Sequence, residues 1–410
     1  MRGAMDRMLN DITRLAEKLE TEKARTAPPP EAVPVPPIPA GRYTDAAMYE
    51  LEAERIFGRT WVFAGHESEL PEEGSYRLFT HTGAPIVIVR GADGVLRAFY
   101  NSCRHRGAPV TRDECGTAKR LTCQYHSWSY GTDGELKAVP DERSFADIDK
   151  GALGLVPVRC ETWEGFVFVS ENPDAEPLLD FLGPLADQMS EIDGPSQRLV
   201  GTQTHHLNCN WKLMVDAFLE VYHIRTIHPD NAALLYDDQS VTVSMLPGGH
   251  SRLSVEKKEE LRDIPMVSPE NDNPSVPELW RQTSTSFGIF PNLVVPMDTG
   301  AFTWLCMWPR GIDHTELELR WYAPQWDGDA VPDEHAMRMT LFETVMAQDT
   351  ANMAPIQESV SSPGARDFQI GWHERLIHHF HRAVDLAIGE ADVPAGLAVS
   401  DGLDRFVESD

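Results

Sequence analysis

The apolar positions of this chain change period several times between its ends. Near the N-terminus Met8, Leu9, Ile12, Leu15 and Leu19 recur at helical spacing and form one apolar stripe, which predicts a short amphipathic helix. From Ala27-Pro28-Pro29-Pro30 to Pro39 the chain is too rich in proline to pack as helix or sheet, and it reads as an extended linker. A stripe this short is marginal as an isolated helix. Residues 1–42 are therefore expected to form a mobile tail in preference to an arm clasping a neighbouring subunit.

A helix is predicted near Asp45–Phe57, followed by short β-branched or aromatic runs bounded by Gly and Asp turns: 61–64, Pro85–Val89, Val95–Asn101 and 165–169. Ala92-Asp93-Gly94 and Thr132-Asp133-Gly134 read as hairpin turns. The pattern changes again further on. Trp211–His223 reads as a helix, strands are expected near Val241–Leu246, Ser284–Phe290, Ala301–Trp308 and Leu317–Tyr322, and helices near Glu334–Ala347 and His373–Ile388. The fold class is α+β: an all-β domain with a leading helix over 43–172, then an antiparallel sheet with helices to one side over 173–410.

At 410 residues the chain can bury two or three separate cores. No apolar run approaches the length of a membrane span, and the N-terminal helix, with Asp6, Asp11 and Glu17, has no secretory core, so a cytoplasmic protein is expected. The net charge of −28 repels nucleic acid and anionic membranes, which excludes both as partners. The same acidity also fits a saline cytoplasm.

The cysteines change the picture more. Cys103, Cys115, Cys123, Cys160, Cys209 and Cys306 are too dispersed for a secreted disulfide scaffold. Two of them sit in a ligand pattern: Cys103-Arg104-His105-Arg106-Gly107, then Cys123-Gln124-Tyr125-His126-Ser127-Trp128. Each half offers one thiolate and one imidazole from a short loop between β-hairpins. Zinc fingers instead pair Cys with Cys and His with His. Two cysteines on one iron and two histidines on the other make a Rieske [2Fe–2S] centre, so Cys103, His105, Cys123 and His126 are the expected cluster ligands. Gly107 suits the tight loop, Trp128 and Tyr130 can shield the cluster, and Cys115 reads as an exposed or half-buried thiol.

Further along, His223 and His228 lie five residues apart, roughly 140° around a continuous helix, so both can face one metal only if the helix loosens between them. Pro229 favours that, because it pushes the preceding residue out of helical geometry. Two histidines and a carboxylate form the facial triad of Fe(II) oxygenases.

The two loops and the segment from Asn210 to Pro229 resemble the alpha subunits of Rieske non-haem iron oxygenases, the aromatic ring-hydroxylating family, over nearly the whole chain past residue 43. That family shows C-x-H-R-G, C-x-Y-H-x-W and N-W-K followed by acidic-x-x-Y-H and a second His. The resemblance implies a helix-grip catalytic domain and a mononuclear Fe(II) with His223, His228 and Asp349, in Gln348-Asp349-Thr350, as ligands. Asp333 is the rival third ligand. It also implies that Glu220, one turn before His223, hydrogen-bonds an iron-site His and reaches a cluster His across a subunit interface, with Asp216 a second favoured acidic position. Most relatives carry Asp at this position; this chain has Glu220, and some members that oxidise quaternary amines have Glu there too. Gln124 replaces the usual Pro, and Ala217 stands where several arene dioxygenases carry Asn.

The implied protein is the oxygenase component of a multicomponent system. It would accept electrons from a reductase or ferredoxin and use O₂ at the mononuclear Fe(II) to hydroxylate or dihydroxylate an aromatic or other hydrophobic organic substrate, as a homotrimer. Oxidative demethylation or C–N cleavage of a quaternary ammonium compound is the alternative chemistry. A Rieske electron carrier without oxygenase activity and a zinc-stabilised binding module are the alternatives of other classes. Phe287, Ile289, Phe290, Val294, Phe302 and Trp304 are candidates to line the substrate pocket, with core packing the default for each. His378, His379 and His381 are expected on a partly solvated helix face.

Overall fold

The computed structural model describes residues 2–189, 192–261, 268, 272, 274, 276–297, 302–328 and 330–408, with the side chains of residues 2–12 outside that description. The chain divides into two compact units: residues 53–178, and residues 1–52 together with 179–410.

The N-terminal stripe forms helix α1 (Arg2–Lys23). It is not a free tail. Leu15 and Leu19 are 1% exposed, α1 packs along an edge strand of its own unit, and Lys18 pairs with Glu408 at 2.6 Å. Burying both leucines supplies the tertiary contact that an isolated stripe lacks. Met8, Leu9 and Ile12 of the predicted stripe lie outside the described side chains. The proline stretch ends with Ile38 and Pro39 paired antiparallel to Phe368 and Asp367, and helix α2 (Ala46–Glu52) follows.

The smaller unit is built from short antiparallel strands: β1 (Val62–His66), β2 (Ser75–Phe79), β3 (Ile86–Arg90), β4 (Leu96–Tyr100), β5 (Cys115–Thr117), β6 (Leu121–Thr122), β7 (Ser129–Tyr130), β8 (Leu136–Ala138), β9 (Pro157–Trp163) and β10 (Phe166–Ser170). One sheet runs β1-β10-β9-β4-β3-β2-β5 and a second runs β6-β7-β8. Both expected hairpin turns are present, closed by Gly91 N–H to Val95 O and Gly131 N–H to Glu135 O, each at 2.9 Å. Val87, Val89, Phe99, Trp128 and Tyr130 belong to the core that backs the two cysteine loops.

The larger unit contains β11 (Gln197–Leu207), α3 (Trp211–Ala217), α4 (Ile224–Ile227), β12 (Tyr236–Met245), β13 (Ser251–Lys257), β14 (Thr283–Ile289), β15 (Leu293–Met297), β16 (Phe302–Gly311), β17 (His314–Pro324), α5 (Asp333–Val360) and α6 (Arg375–Ile388). Its antiparallel sheet runs β11-β17-β16-β15-β14-β13-β12, so sequence neighbours are sheet neighbours except where β11 joins β17. Ala301, at the expected start of β16, lies outside the described residues. The fold is thus α+β, a small all-β domain and an antiparallel sheet with helices. Among the described residues no helix is long and apolar enough to cross a membrane.

Two sequence expectations are corrected here. The helix expected to run from Trp211 to His223 stops at Ala217, because the Glu220 carboxylate takes the backbone N–H groups of Tyr222 and His223 that a continued helix would use. His378, His379 and His381 are not a solvated face: they are 0%, 6% and 0% exposed. His379 Nε2 donates to Leu246 O and His250 O at 2.9 and 3.0 Å, and His381 meets Arg42 and Asp216, so distant segments cover the face that looked polar. The six candidate pocket residues are core: Phe287, Ile289, Phe290, Val294, Phe302 and Trp304 are all at most 6% exposed.

Candidate metal centres

The first loop folds back on itself: Cys103 N–H donates to Ala108 O at 2.8 Å and Gly107 N–H to Cys103 O at 2.9 Å. That turn needs φ of +74° at Gly107, which only glycine adopts without cost. The second loop repeats the pattern, with Cys123 N–H to Trp128 O and Ser127 N–H to Cys123 O at 2.9 Å, and Ser127 in the left-handed region. The result is two thiols buried to 3% and 1% exposure beneath two half-buried imidazoles. The His105 and His126 rings lie 4.6 Å apart, and His105 stacks on Trp128 with planes 6° apart. Tyr130 OH sits 3.2 Å from Cys103 Sγ and accepts the Arg104 N–H at 3.0 Å.

These residues fit a cluster. Neither cysteine is in a disulfide, burial pushes the Cys103 thiol pKa up, and the buried Nδ1 of His105 has no hydrogen-bond partner. Two buried thiols beside an imidazole nitrogen that lacks a partner suit metal ligation, which gives that nitrogen its missing contact. Cys115 is exposed on β5.

The second centre forms where α3 ends. After Ala217 the chain runs irregularly to His223, makes the single turn α4, and leaves helical geometry at His228 (φ −119°, ψ 45°), just before Pro229. The two imidazoles meet edge to face with centroids 5.3 Å apart. From α5, Asp349 places Oδ1 2.8 Å from His228 Nε2 and 3.7 Å from His223 Nε2. One ligand atom from each of His223, His228 and Asp349 lies within 4.8 Å of the others, and among the described residues no other group of His, Cys, Asp and Glu converges in this way. Asp333 is the first residue of α5 and takes no part.

Each histidine is oriented from behind. Glu220 Oε1 meets Nδ1 of His223. An ionised carboxylate only accepts, so Nδ1 carries the proton and Nε2 keeps its lone pair for a cation. Burial lowers the His223 pKa, but Glu220 and then Asp349 outweigh it and hold the ring above its ordinary value. Gln348 does the same for His228: its Oε1 accepts from His228 Nδ1 at 2.8 Å and from Asn231 Nδ2 at 2.9 Å. The sequence reading assigned Gln348 no role, although it directly precedes Asp349. Asp216 is placed elsewhere. Its carboxylate accepts from Tyr43 OH at 2.5 Å and lies 3.3 Å from His381 Nε2, and it is not among the groups that converge with Asp349.

Residues 60–157 match the profile of the Rieske [2Fe-2S] domain, and residues 196–390 match that of the ring hydroxylating alpha subunit (catalytic domain). The chain belongs to the family of Rieske ring-hydroxylating oxygenase alpha subunits. Members of this family carry a Rieske [2Fe–2S] cluster and a mononuclear iron. Among curated relatives, the biphenyl 2,3-dioxygenase subunit alpha of Rhodococcus jostii is 37% identical over 190 residues, 45% of this chain and 41% of the relative. The carnitine monooxygenase oxygenase subunit of Escherichia coli is 38% identical over 194 residues, 47% of this chain and 52% of the relative. The chain thus spans about half the length, or less, of the curated relatives it matches. Naphthalene 1,2-dioxygenase from Rhodococcus sp. bound to indole shares the fold at TM-score 0.74 and 23% identity, covering 93% of this chain and 98% of that one. A quaternary ammonium Rieske monooxygenase in complex with L-carnitine does so at TM-score 0.72 and 23% identity, covering 86% and 95%.

Proposed function

We propose that this Rieske-family chain is the oxygenase component of a multicomponent system, receiving electrons from a reductase or ferredoxin and using O₂ to oxidise a small organic substrate. The observation that carries this reading is the convergence of His223 Nε2, His228 Nε2 and Asp349 Oδ1 in a chain that also carries the mixed cysteine–histidine loops. An electron carrier has no use for a second metal centre, and a zinc module has no use for either. Cys103 and Cys123 would hold one iron of the cluster, and His105 and His126 the other. His223, His228 and Asp349 would hold the mononuclear iron and leave one face free. When bound, the cluster supplies single electrons and the mononuclear iron supplies open positions at which O₂ is reduced.

The remaining work belongs to the side chains. Glu220 holds the proton on His223 Nδ1 and Gln348 holds it on His228 Nδ1, so both rings present Nε2 to the metal. Trp128 and Tyr130, 3% and 0% exposed, keep water from the sulfur side of the cluster loops. The working unit is a cytoplasmic homotrimer in which Glu220 couples the mononuclear iron to a neighbouring subunit's cluster. The cluster chemistry belongs to the unit of residues 53–178 and the catalytic chemistry to the unit of residues 179–410 with 1–52, in place of the division at 43 and 173 expected from the sequence.

The substrate is an aromatic or other hydrophobic compound. Oxidative demethylation or C–N cleavage of a quaternary ammonium compound is the second reading, and one observation favours it. One matched relative is a carnitine monooxygenase subunit, and the family resemblance links a Glu at the position of Glu220 to members that oxidise quaternary amines. Purified protein is expected to be brown, with about two irons and two sulfides in the cluster and one further iron per chain. Turnover with a surrogate reductase, assayed on biphenyl, benzene, carnitine and γ-butyrobetaine, separates the two substrate classes. Zinc without acid-labile sulfide would overturn the whole assignment.

A further inference from the structure

The buried face of α5 carries Met346, Asp349, Met353, Gln357 and Val360 at intervals of three and four residues, and only two of these five are polar. Asp349 belongs to the iron site. Gln357, two turns further on and 7% exposed, has no part in it, yet both ends of its amide are engaged. Its Oε1 accepts the backbone N–H of Asn210 at 2.7 Å, and its Nε2 donates to Tyr43 O at 3.3 Å.

Asn210 is the N-cap of α3. Its own Oδ1 accepts from Lys212 N–H at 3.1 Å and its Nδ2 donates to Ile312 O at 2.7 Å. Tyr43, whose carbonyl takes Gln357, sends its hydroxyl to Asp216 Oδ2 in the last turn of α3. The bonds close a circuit: α5 to the start of α3, the end of α3 to Tyr43, and Tyr43 back to α5. Arg42 backs the far side, donating through Nε to His381 Nδ1 at 2.9 Å and through Nη1 to Asp385 at 2.7 Å. That leaves the proton on His381 Nε2, which faces Asp216 and Tyr43. Every part of this circuit is buried, where a satisfied polar contact is rigid and a broken one is costly.

The circuit matters because α3 leads directly into Glu220 and His223, while α5 carries Asp349. Gln348 ties α5 to His228 and Asn231 at the far end of the histidine-bearing segment, and this clasp ties α5 to its start. Pro355 removes one rung of the α5 ladder between Asp349 and Gln357, but the helix is continuous from Asp333 to Val360.

The geometry points to Gln357 and Tyr43 as positioning residues that hold the carboxylate-bearing and histidine-bearing segments in the register the mononuclear metal requires, without touching that metal. Asp216 is the third member of the device. This inference rests on the metal-site reading above. Residues of this kind tune metal affinity through the groups they orient.

The test is Fe(II) binding to the full chain, measured by competition with a chelator, in wild type, Gln357→Leu, Tyr43→Phe and the double variant. Tyr43→Phe removes only the hydroxyl and keeps the carbonyl, so it reports even where Gln357→Leu folds poorly. Each single variant is expected to bind mononuclear iron about tenfold more weakly, with the cluster's visible spectrum unchanged, and the double variant to lose less than the product of the two. The ligand-field bands of Co(II) loaded into the site should shift as well, which a general loss of stability does not cause. Wild-type affinity and wild-type Co(II) bands in both single variants would overturn the clasp alone. A wild-type chain that binds no iron beyond its cluster would overturn the parent reading and this inference with it.

Discussion

Glu220 closes back on His223: one carboxylate oxygen meets the ring Nδ1, and the other accepts the His223 backbone N–H at 3.2 Å. A single side chain thereby stops the helix, fixes the tautomer and aims Nε2 at Asp349. Both oxygens are used within the chain, so any reach toward a second subunit's cluster draws on lone pairs left over from these bonds.

Glu220→Gln tests that double duty. An amide keeps one acceptor and turns N–H groups toward the other donor. The expected result is an intact cluster spectrum, mononuclear iron still bound, and turnover lower by roughly 10–100-fold. Pre-steady-state oxidation of the cluster with substrate and O₂ present reads the electron-delivery step directly. A wild-type rate there would mean that the carboxylate only shapes the chain.

Alanine at His223, His228 or Asp349 removes one of three converging ligand atoms. Each variant is expected to lose the mononuclear iron and all turnover while the cluster's visible absorption persists, because the cluster ligands lie in the other unit. Iron and acid-labile sulfide analysis checks this. Full iron content in Asp349→Ala would send the third ligand elsewhere.

Gln348→Leu removes the acceptor that fixes His228 Nδ1–H and Asn231 Nδ2, and iron affinity should fall about tenfold. Gln348→Glu retains an acceptor and should bind iron within a few-fold of wild type. Chelator competition on the pair distinguishes orientation from packing: equal losses in both variants would argue for packing.

Acid should destabilise the protein through its buried imidazoles. Burial pushes His250, His378 and His381 down to about 4, against about 6.5 in an unfolded chain. Between those values the unfolded state binds more protons than the folded state, so stability is full above about pH 6.5 and declines as pH falls toward 4. Melting temperatures at pH 7, 6 and 5 should fall in that order. A flat profile would mean that these rings protonate in place.

The two halves of the cluster motif were legible because each is a local device: a thiolate and an imidazole within one turn, with Gly107 in the first at a position where φ is positive. The bend around His228 was legible for the same reason, through Pro229. The histidine-bearing helix was read too long because its end depends on what the Glu220 side chain does, and residue type alone does not say whether a carboxylate faces solvent or caps a turn. The N-terminal stripe shows the limit from the other side. Its period announced a helix, but only the edge strand beside it decides that Leu15 and Leu19 are buried.

The sequence by itself determined the chemistry: the types of ligand, their short-range spacing and the two-domain plan of strands followed by sheet and helices. What it left open was every pairing made across the chain. Asp349 could be placed only by resemblance, because 120 residues separate its neighbour Gln348 from His228. Arg42 lies 339 residues from His381, the ring it orients. A periodic pattern reports which face of a helix is apolar, but a buried polar face looks the same as a solvated one until its partners arrive. The sheet and helices bring those partners together, and burial makes each bond obligatory, so tertiary structure decided which polar residues are surface, which are clasp and which are site.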